Sequence, residues 1–207
     1  MAGDGDKSPG TGPRLAILGS GHGSNFEAIA DAIDRGTLDA TIAVVLSDVA
    51  DSRVLSLARS RGLPALHIEP GSERGGRLGD AALKEIADRL KSASVDLVIL
   101  AGFMRILRGP VLEAFAGRIL NIHPSLLPLY PGLGAWRRAL ASGDTETGCT
   151  VHLVDSGIDS GAMLAQERVP ILPGDTAETL HARIQEREHE LYPRVIAAHW
   201  AGLMKQG

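Results

Sequence analysis

The chain has 207 residues and a formal net charge of −4, with 44% hydrophobic, 22% charged and 3% aromatic residues. A chain of this size buries a real core in one domain, and the low aromatic share makes that core aliphatic. The near balance of acid and base excludes a broad nucleic-acid face, the single cysteine, Cys149, excludes an internal disulfide framework and fits a reducing, cytoplasmic compartment, and no apolar run approaches the roughly 20 residues that span a bilayer.

Met1 to Pro13 are rich in Gly, Asp, Pro and Ser and lack the charged start and apolar stretch of a secretion signal. Residues 1–13 are expected to form a disordered tail ahead of a single domain at 14–207. Leu15 to Leu18 read as a short apolar strand that runs into Gly19-Ser20-Gly21-His22-Gly23-Ser24-Asn25. Phe26, Ile29, Ala30 and Ile33 then recur at helical spacing until Gly36. Thr41 to Leu46 read as a second strand, Val54 to Arg61 as a helix and Ala65 to Ile68 as a third strand. Residues 68–79 are glycine-rich and loop-like. Leu78 to Lys91 carry Leu83, Ile86, Ala87 and Leu90 on one helical face. Asp96 to Ala101 form a nearly continuous apolar run, the signature of a parallel strand covered on both faces. Pro110 opens a short helix, Arg118 to Ile122 read as a strand, and Pro124, Pro128 and Pro131 mark an irregular segment. Trp136 to Ser142 read as helix, Thr147 to Val154 and Met163 to Val169 as strands, and Ala177 to His199 as a long last helix. This alternation predicts an α/β fold: an open, mostly parallel twisted sheet with helices on both faces and the late strands antiparallel at one edge.

Four segments carry candidate chemistry. The Gly19–Asn25 turn lies between a strand and a helix, where free amides favour an anion. It has neither the Lys of a P-loop nor the last glycine of the dinucleotide pattern, so a plain turn explains it equally well. Asn121 and His123 stand two apart at a strand end, facing one side, where an amide and an imidazole can hold a developing oxyanion and move a proton. A polar strand end with a hydrogen-bonded histidine is the simpler alternative. Asp155 and Asp159 sit among glycines, and turn chemistry alone accounts for at least one of them. Glu188 falls at the edge of the apolar stripe Leu180, Ile184, Leu191 and Val195, where a carboxylate needs a partner. Cys149 lies inside a strand and reads as a packed residue. The seven histidines, at 22, 67, 123, 152, 181, 189 and 199, show no metal-ligand spacing.

From about Leu15 to Trp200 these pieces resemble the folate-dependent formyltransferases. The matching segments are Gly21-His22-Gly23-Ser24-Asn25, Ala101-Gly102-Phe103-Met104-Arg105-Ile106-Leu107, Asn121-Ile122-His123-Pro124-Ser125-Leu126-Leu127-Pro128, Tyr130-Pro131-Gly132, Gly148 to Val154 and the Asp159 turn. The resemblance implies a Rossmann-like formyltransferase fold and transfer of the formyl group of 10-formyltetrahydrofolate to the amine of glycinamide ribonucleotide in purine biosynthesis. It implies direct amine attack through a tetrahedral intermediate, without a metal. Position by position, it makes Asn121, His123 and Asp159 the catalytic trio. It assigns Gly23, Ser24 and Asn25 to the ribonucleotide phosphate and Glu188 to the glycinamide amine. Met104, Arg105, Ile106 and Leu107, with Val154, Asp155, Ser156 and Gly157, become the folate walls, whose backbone groups read the pterin ring. Small molecules are the implied partners of a monomer or homodimer, with no nucleic acid and no membrane.

Two positions depart from the family pattern. Gly134-Ala135-Trp136 replaces a stretch that carries a histidine in many relatives, and His22 replaces an Asn or Thr in the phosphate loop. Among related activities, a methionyl-tRNA formyltransferase normally adds a C-terminal tRNA-binding domain and a formyltetrahydrofolate hydrolase an N-terminal regulatory one. Neither extension is expected here. The remaining alternatives are an N-formyltransferase acting on another amine, such as an amino-sugar nucleotide, and a binding protein without catalysis. The Asn, His and Asp trio speaks against the latter.

Overall fold

The computed structural model describes residues 12–72 and 75–205. Of the expected tail, residues 1–11 lie outside the described residues, while Pro13 is buried and its carbonyl accepts the Thr41 N–H at 3.0 Å.

The elements run β1 (Arg14–Leu18), α1 (Ser24–Asp34), β2 (Thr41–Ser47), α2 (Arg53–Ser60), β3 (Ala65–His67), α3 (Asp80–Ser92), β4 (Leu97–Leu100), α4 (Pro110–Ala114), β5 (Ile119–His123), α5 (Ala135–Ser142), β6 (Glu146–Leu153), β7 (Met163–Pro170) and α6 (Ala177–Met204). Each expected helix and strand is present with its bounds moved by a few residues. The last helix runs to Met204 and contains Pro193. At its start Thr176 and Thr179 exchange side-chain-to-backbone hydrogen bonds, at 3.2 and 3.0 Å, which satisfies two otherwise orphan donors.

The seven strands form one sheet in the order β3-β2-β1-β4-β5-β6-β7. The first five are parallel, and β6 is antiparallel to both β5 and β7. The chain builds outward from β1 to β3, then returns to the other side of β1 as β4. The connections that leave the carboxyl ends of the paired strands β1 and β4 therefore run to opposite sides, which opens the crevice where open α/β sheets bind ligands.

Strand alternation sorts the core into two layers. Leu15 and Ile17 pack with Phe26, Ile29, Val54, Leu180, Ile184 and Ile196 from α1, α2 and α6. Ala16 and Leu18 pack on the opposite face with Leu83, Ile86, Leu90 and Val111 from α3 and α4. The core is aliphatic, with Tyr192 an exception that earns its place by bonding. Its hydroxyl lies 3.0 Å from Leu100 O and 2.9 Å from Leu120 O, bracing α6 across the β4–β5 pair. Among the described residues no helix is long and apolar enough to cross a membrane.

Candidate active site

The turn after β1 is shaped for close approach. Gly23 has φ +78°, and a Cβ there would meet Val54 Cα at 3.1 Å, so a side chain is disfavoured by both backbone and space. The loop carbonyls are held by α2: Val54 N donates to Gly21 O at 3.1 Å and Arg53 Nη1 to His22 O at 3.2 Å. Gly23 gives α1 no side-chain cap. Glu27 N is the first helical amide taken, by Gly23 O at 2.9 Å, which leaves the N–H groups of Ser24, Asn25 and Phe26 as donors at the helix start. Gln185 Nε2 reaches Ser24 Oγ at 3.4 Å, and Asn25 Nδ2 donates to Glu188 Oε2 at 2.9 Å.

Glu188 is the buried carboxyl of this region, 4% exposed. Burial pushes its pKa up to about 7 against the opposing effect of the Asn25 amide. Asn25 Oδ1, buried beside it, has no hydrogen-bond partner, so a polar atom is left for a ligand to satisfy.

The segment after β4 is tied to the same loop by one buried carboxylate. Asp48, just past β2, accepts from Ser20 Oγ at 2.5 Å and from Arg105 Nε at 2.6 Å, while Met104 N donates to Ser20 Oγ at 2.8 Å. The Arg105 guanidinium is thus tied to the carboxylate that also holds the loop. Ile106 N donates to Gly76 O at 3.0 Å. The N–H groups of Arg105 and Leu107 have no partner among the described residues, which fits a wall that reads a planar heterocycle through its backbone.

The opposite side of the cleft is built from side chains. Antiparallel pairing sets Asn121 on β5 opposite His152 on β6. The β6–β7 turn brings Asp159 between them, with φ +51°. Asn121 Nδ2 lies 3.1 Å from His152 Nε2 and 3.4 Å from Asp159 Oδ1. His123 Nδ1 is 3.2 Å from Asp159 Oδ2, which also accepts the Gly132 N–H at 2.7 Å. His123 Nε2 is 2.9 Å from Tyr130 O. The irregular segment after β5 is held for this purpose: Thr150 Oγ1 donates to Ser125 O at 2.7 Å, and Gln166 Nε2 donates to Leu127 O at 2.9 Å. Its Leu127–Pro128 peptide is cis.

Charge follows from these contacts. Both ring nitrogens of His123 face oxygen acceptors, so a neutral ring donates to one and an imidazolium to both. Burial pulls its pKa below the ordinary value, Asp159 and the Tyr130 carbonyl work to raise it, and His152 and Arg138 deepen the fall. Burial works to raise the Asp159 pKa, but His152, the Gly132 amide and the nearby His123 outweigh it and hold the carboxyl below its usual range. His152 Nδ1 is 2.8 Å from the carbonyl of Leu153 and so carries the hydrogen. Its Nε2 lies 3.1 Å from Asn121 Nδ2 and 3.4 Å from Asp159 Oδ1, so a neutral ring accepts from the Asn121 amide and an imidazolium donates to the carboxylate.

His152 is the member of this cluster that sequence reasoning passed over. Its signal was there: Thr150 and His152 alternate on β6 as Asn121 and His123 do on β5, and an antiparallel register brings the two pairs together.

These walls enclose one cleft of about 640 Å³. It brings together Asn121, His123 and Asp159 with Gly23, Ser24, Asn25 and Glu188, and with Met104, Arg105, Ile106, Leu107, Val154, Asp155 and Gly157. Ser156 is exposed and stands outside this lining. Asp155 Oδ1 accepts from Gly157 N and Ser160 Oγ, both at 2.9 Å, so its carboxylate serves the turn, whereas that of Asp159 faces the polar cluster. Cys149 is fully buried in β6, and burial pushes its thiol up to about 12; it is no nucleophile. Among the described residues no group of three or more His, Cys, Asp or Glu side chains is arranged to hold a metal ion.

Comparison with known proteins agrees with this geometry. The chain is 44% identical to the phosphoribosylglycinamide formyltransferase of Haemophilus influenzae, over 88% of its own length and 85% of that protein. It is also 44% identical to the trifunctional purine biosynthetic protein adenosine-3 of Drosophila pseudoobscura pseudoobscura, over 93% of its own length but only 14% of that much longer protein. The crystal structure of glycinamide ribonucleotide transformylase 1 from Symbiobacterium toebii superposes with a TM-score of 0.87 at 46% identity, covering 92% of this chain and 89% of that one. Residues 13–196 match the formyl transferase family, and the chain belongs to it.

Proposed function

We propose that the chain transfers the formyl group of 10-formyltetrahydrofolate to the amine of glycinamide ribonucleotide, a phosphoribosylglycinamide formyltransferase activity in purine biosynthesis. The observation that carries this reading is the convergence of Asn121, at 3.4 Å, and His123, at 3.2 Å, on Asp159 on one wall of a cleft whose other wall is a helix start suited to phosphate.

The folate supplies an electrophilic formyl carbon and a nitrogen leaving group. This chain's residues do the rest. His152 Nε2 takes one hydrogen of the Asn121 amide. The other exchanges its longer contact with Asp159 for the oxygen on which charge develops. One such donor is worth about 3 kcal/mol in rate. Protonated His123 donates to the same charge by exchanging the Tyr130 carbonyl for it at Nε2, and the Asp159 carboxylate supports the imidazolium at Nδ1. The Asp159–His123 pair holds the proton that the amine loses and the folate nitrogen gains. Ser24, Asn25 and the α1 amides take the phosphate, Glu188 holds the amine end, and the Arg105 and Leu107 amides read the pterin ring. The same reading places a monomer or homodimer in the cytoplasm.

The test is a spectrophotometric assay with 10-formyl-5,8-dideazafolate and a panel of amine acceptors. Turnover with glycinamide ribonucleotide alone is the expected result. Turnover with an amino-sugar nucleotide instead, or binding of the folate analogue without transfer to any amine, would overturn it.

A further inference from the structure

An aromatic pair lines the cleft without a part in the chemistry above. Trp136, near the start of α5, and His181, in the first turns of α6, lie face to face with ring centroids 3.9 Å apart and planes 8° from parallel. Stacking fixes the plane of the imidazole and leaves its edge to form bonds. Neither ring nitrogen of His181 has a hydrogen-bond partner among the described residues. Gln185 follows one turn later on α6 and reaches Ser24 Oγ at 3.4 Å. That spacing puts His181 on the same face of α6, beside the loop that opens α1.

Resting on the function proposed above, we propose that His181 is a further substrate-binding residue, whose imidazole edge donates a charge-assisted hydrogen bond to the phosphate of the ribonucleotide while Trp136 holds the ring in plane. In the free protein burial pushes the His181 pKa down, and the neighbouring Arg137 lowers it further. The charged group acting on the ring is Arg137 on α5, which itself lies 4.0 Å from Glu178 of α6; Trp136 and Gln185 carry no charge. A phosphate dianion at the start of α1 favours the imidazolium, so binding takes up a proton.

The experiment compares the full chain with His181→Asn, using glycinamide ribonucleotide and its unphosphorylated riboside as acceptors. The variant is expected to raise KM for the ribonucleotide about tenfold, with the loss carried by KM rather than kcat and no matching loss for the riboside. Calorimetry near neutral pH in buffers of different ionisation enthalpy is expected to show proton uptake on ribonucleotide binding to the unmodified chain and none in His181→Asn. Trp136→Leu moves KM in the same direction by less. An equal loss with the riboside, or undiminished proton uptake in the variant, would sink the assignment. Should the unmodified chain formylate neither acceptor, the proposed function fails, while the same calorimetric comparison with inorganic phosphate still decides the role of His181.

Discussion

The two walls of the cleft solve different problems with different parts. The wall on the β1–β4 side works through backbone: a glycine at φ +78°, amides at the start of α1 and the N–H groups of Arg105 and Leu107, which have no partner among the described residues. The wall on the β5–β6 side works through side chains that hold one another at 3.1 to 3.4 Å. Backbone recognition tolerates changes of side chain so long as the chain path survives. Polar clusters of this kind do not, because each member is the partner that orients the next.

That difference can be broken from either side. The largest effect is expected on the side-chain wall. His123→Ala should lower kcat by about a thousandfold and leave the melting temperature within a few degrees, measured by steady-state kinetics and thermal unfolding. A collapse of stability would mean that the residue is structural.

Glu188 lies where the two walls meet at α6, and its effect is on stability. With a folded pKa of about 7 against 4.5, the folded protein binds this proton more tightly than the unfolded chain. Its stabilising contribution is full below about pH 4.5, shrinks as pH rises through 7 and is absent above that. Glu188→Gln, which cannot ionise, should therefore match the parent near pH 5 and exceed it near pH 8 by up to roughly 3 kcal/mol, read from denaturant unfolding at the two pH values. A pH-independent difference would contradict the assignment.

The third effect sharpens the account of the side-chain wall. His152→Ala removes the acceptor that orients Asn121. A misplaced donor of this kind costs about a hundredfold, and here the loss should fall on kcat while KM for the folate is unchanged. The smallest effect belongs to the backbone wall. Gly23→Ala introduces about 1–3 kcal/mol of local strain, which should appear as roughly a tenfold rise in KM for the ribonucleotide with kcat nearly intact.

Much of this arrangement is legible in the residues themselves. Period-two apolar runs and glycine stops locate the strands and helices, and the Asn121–Pro128 segment, by its resemblance to a known family, marks the side-chain wall. The parts that stay hidden depend on which elements become neighbours. His152 joins the cluster only because β6 pairs with β5 in a particular register. Arg105 is tied down because Asp48, just past β2, lies within reach of its guanidinium. The Trp136–His181 stack joins residues of α5 and α6 that neither local pattern connects. Asp155 and Asp159 look alike in a glycine-rich turn, and only the fold separates the one that closes the turn from the one that meets His123.

In the proposed function Asp159 and His123 act as one unit in formyl transfer to glycinamide ribonucleotide. The most direct measurement is kcat, at saturating folate and ribonucleotide, for the parent chain, Asp159→Ala, His123→Ala and the double variant. Each single change is expected to remove most of the rate and the double change to cost little more than either one. Additive losses, or turnover that survives either single change, would contradict it.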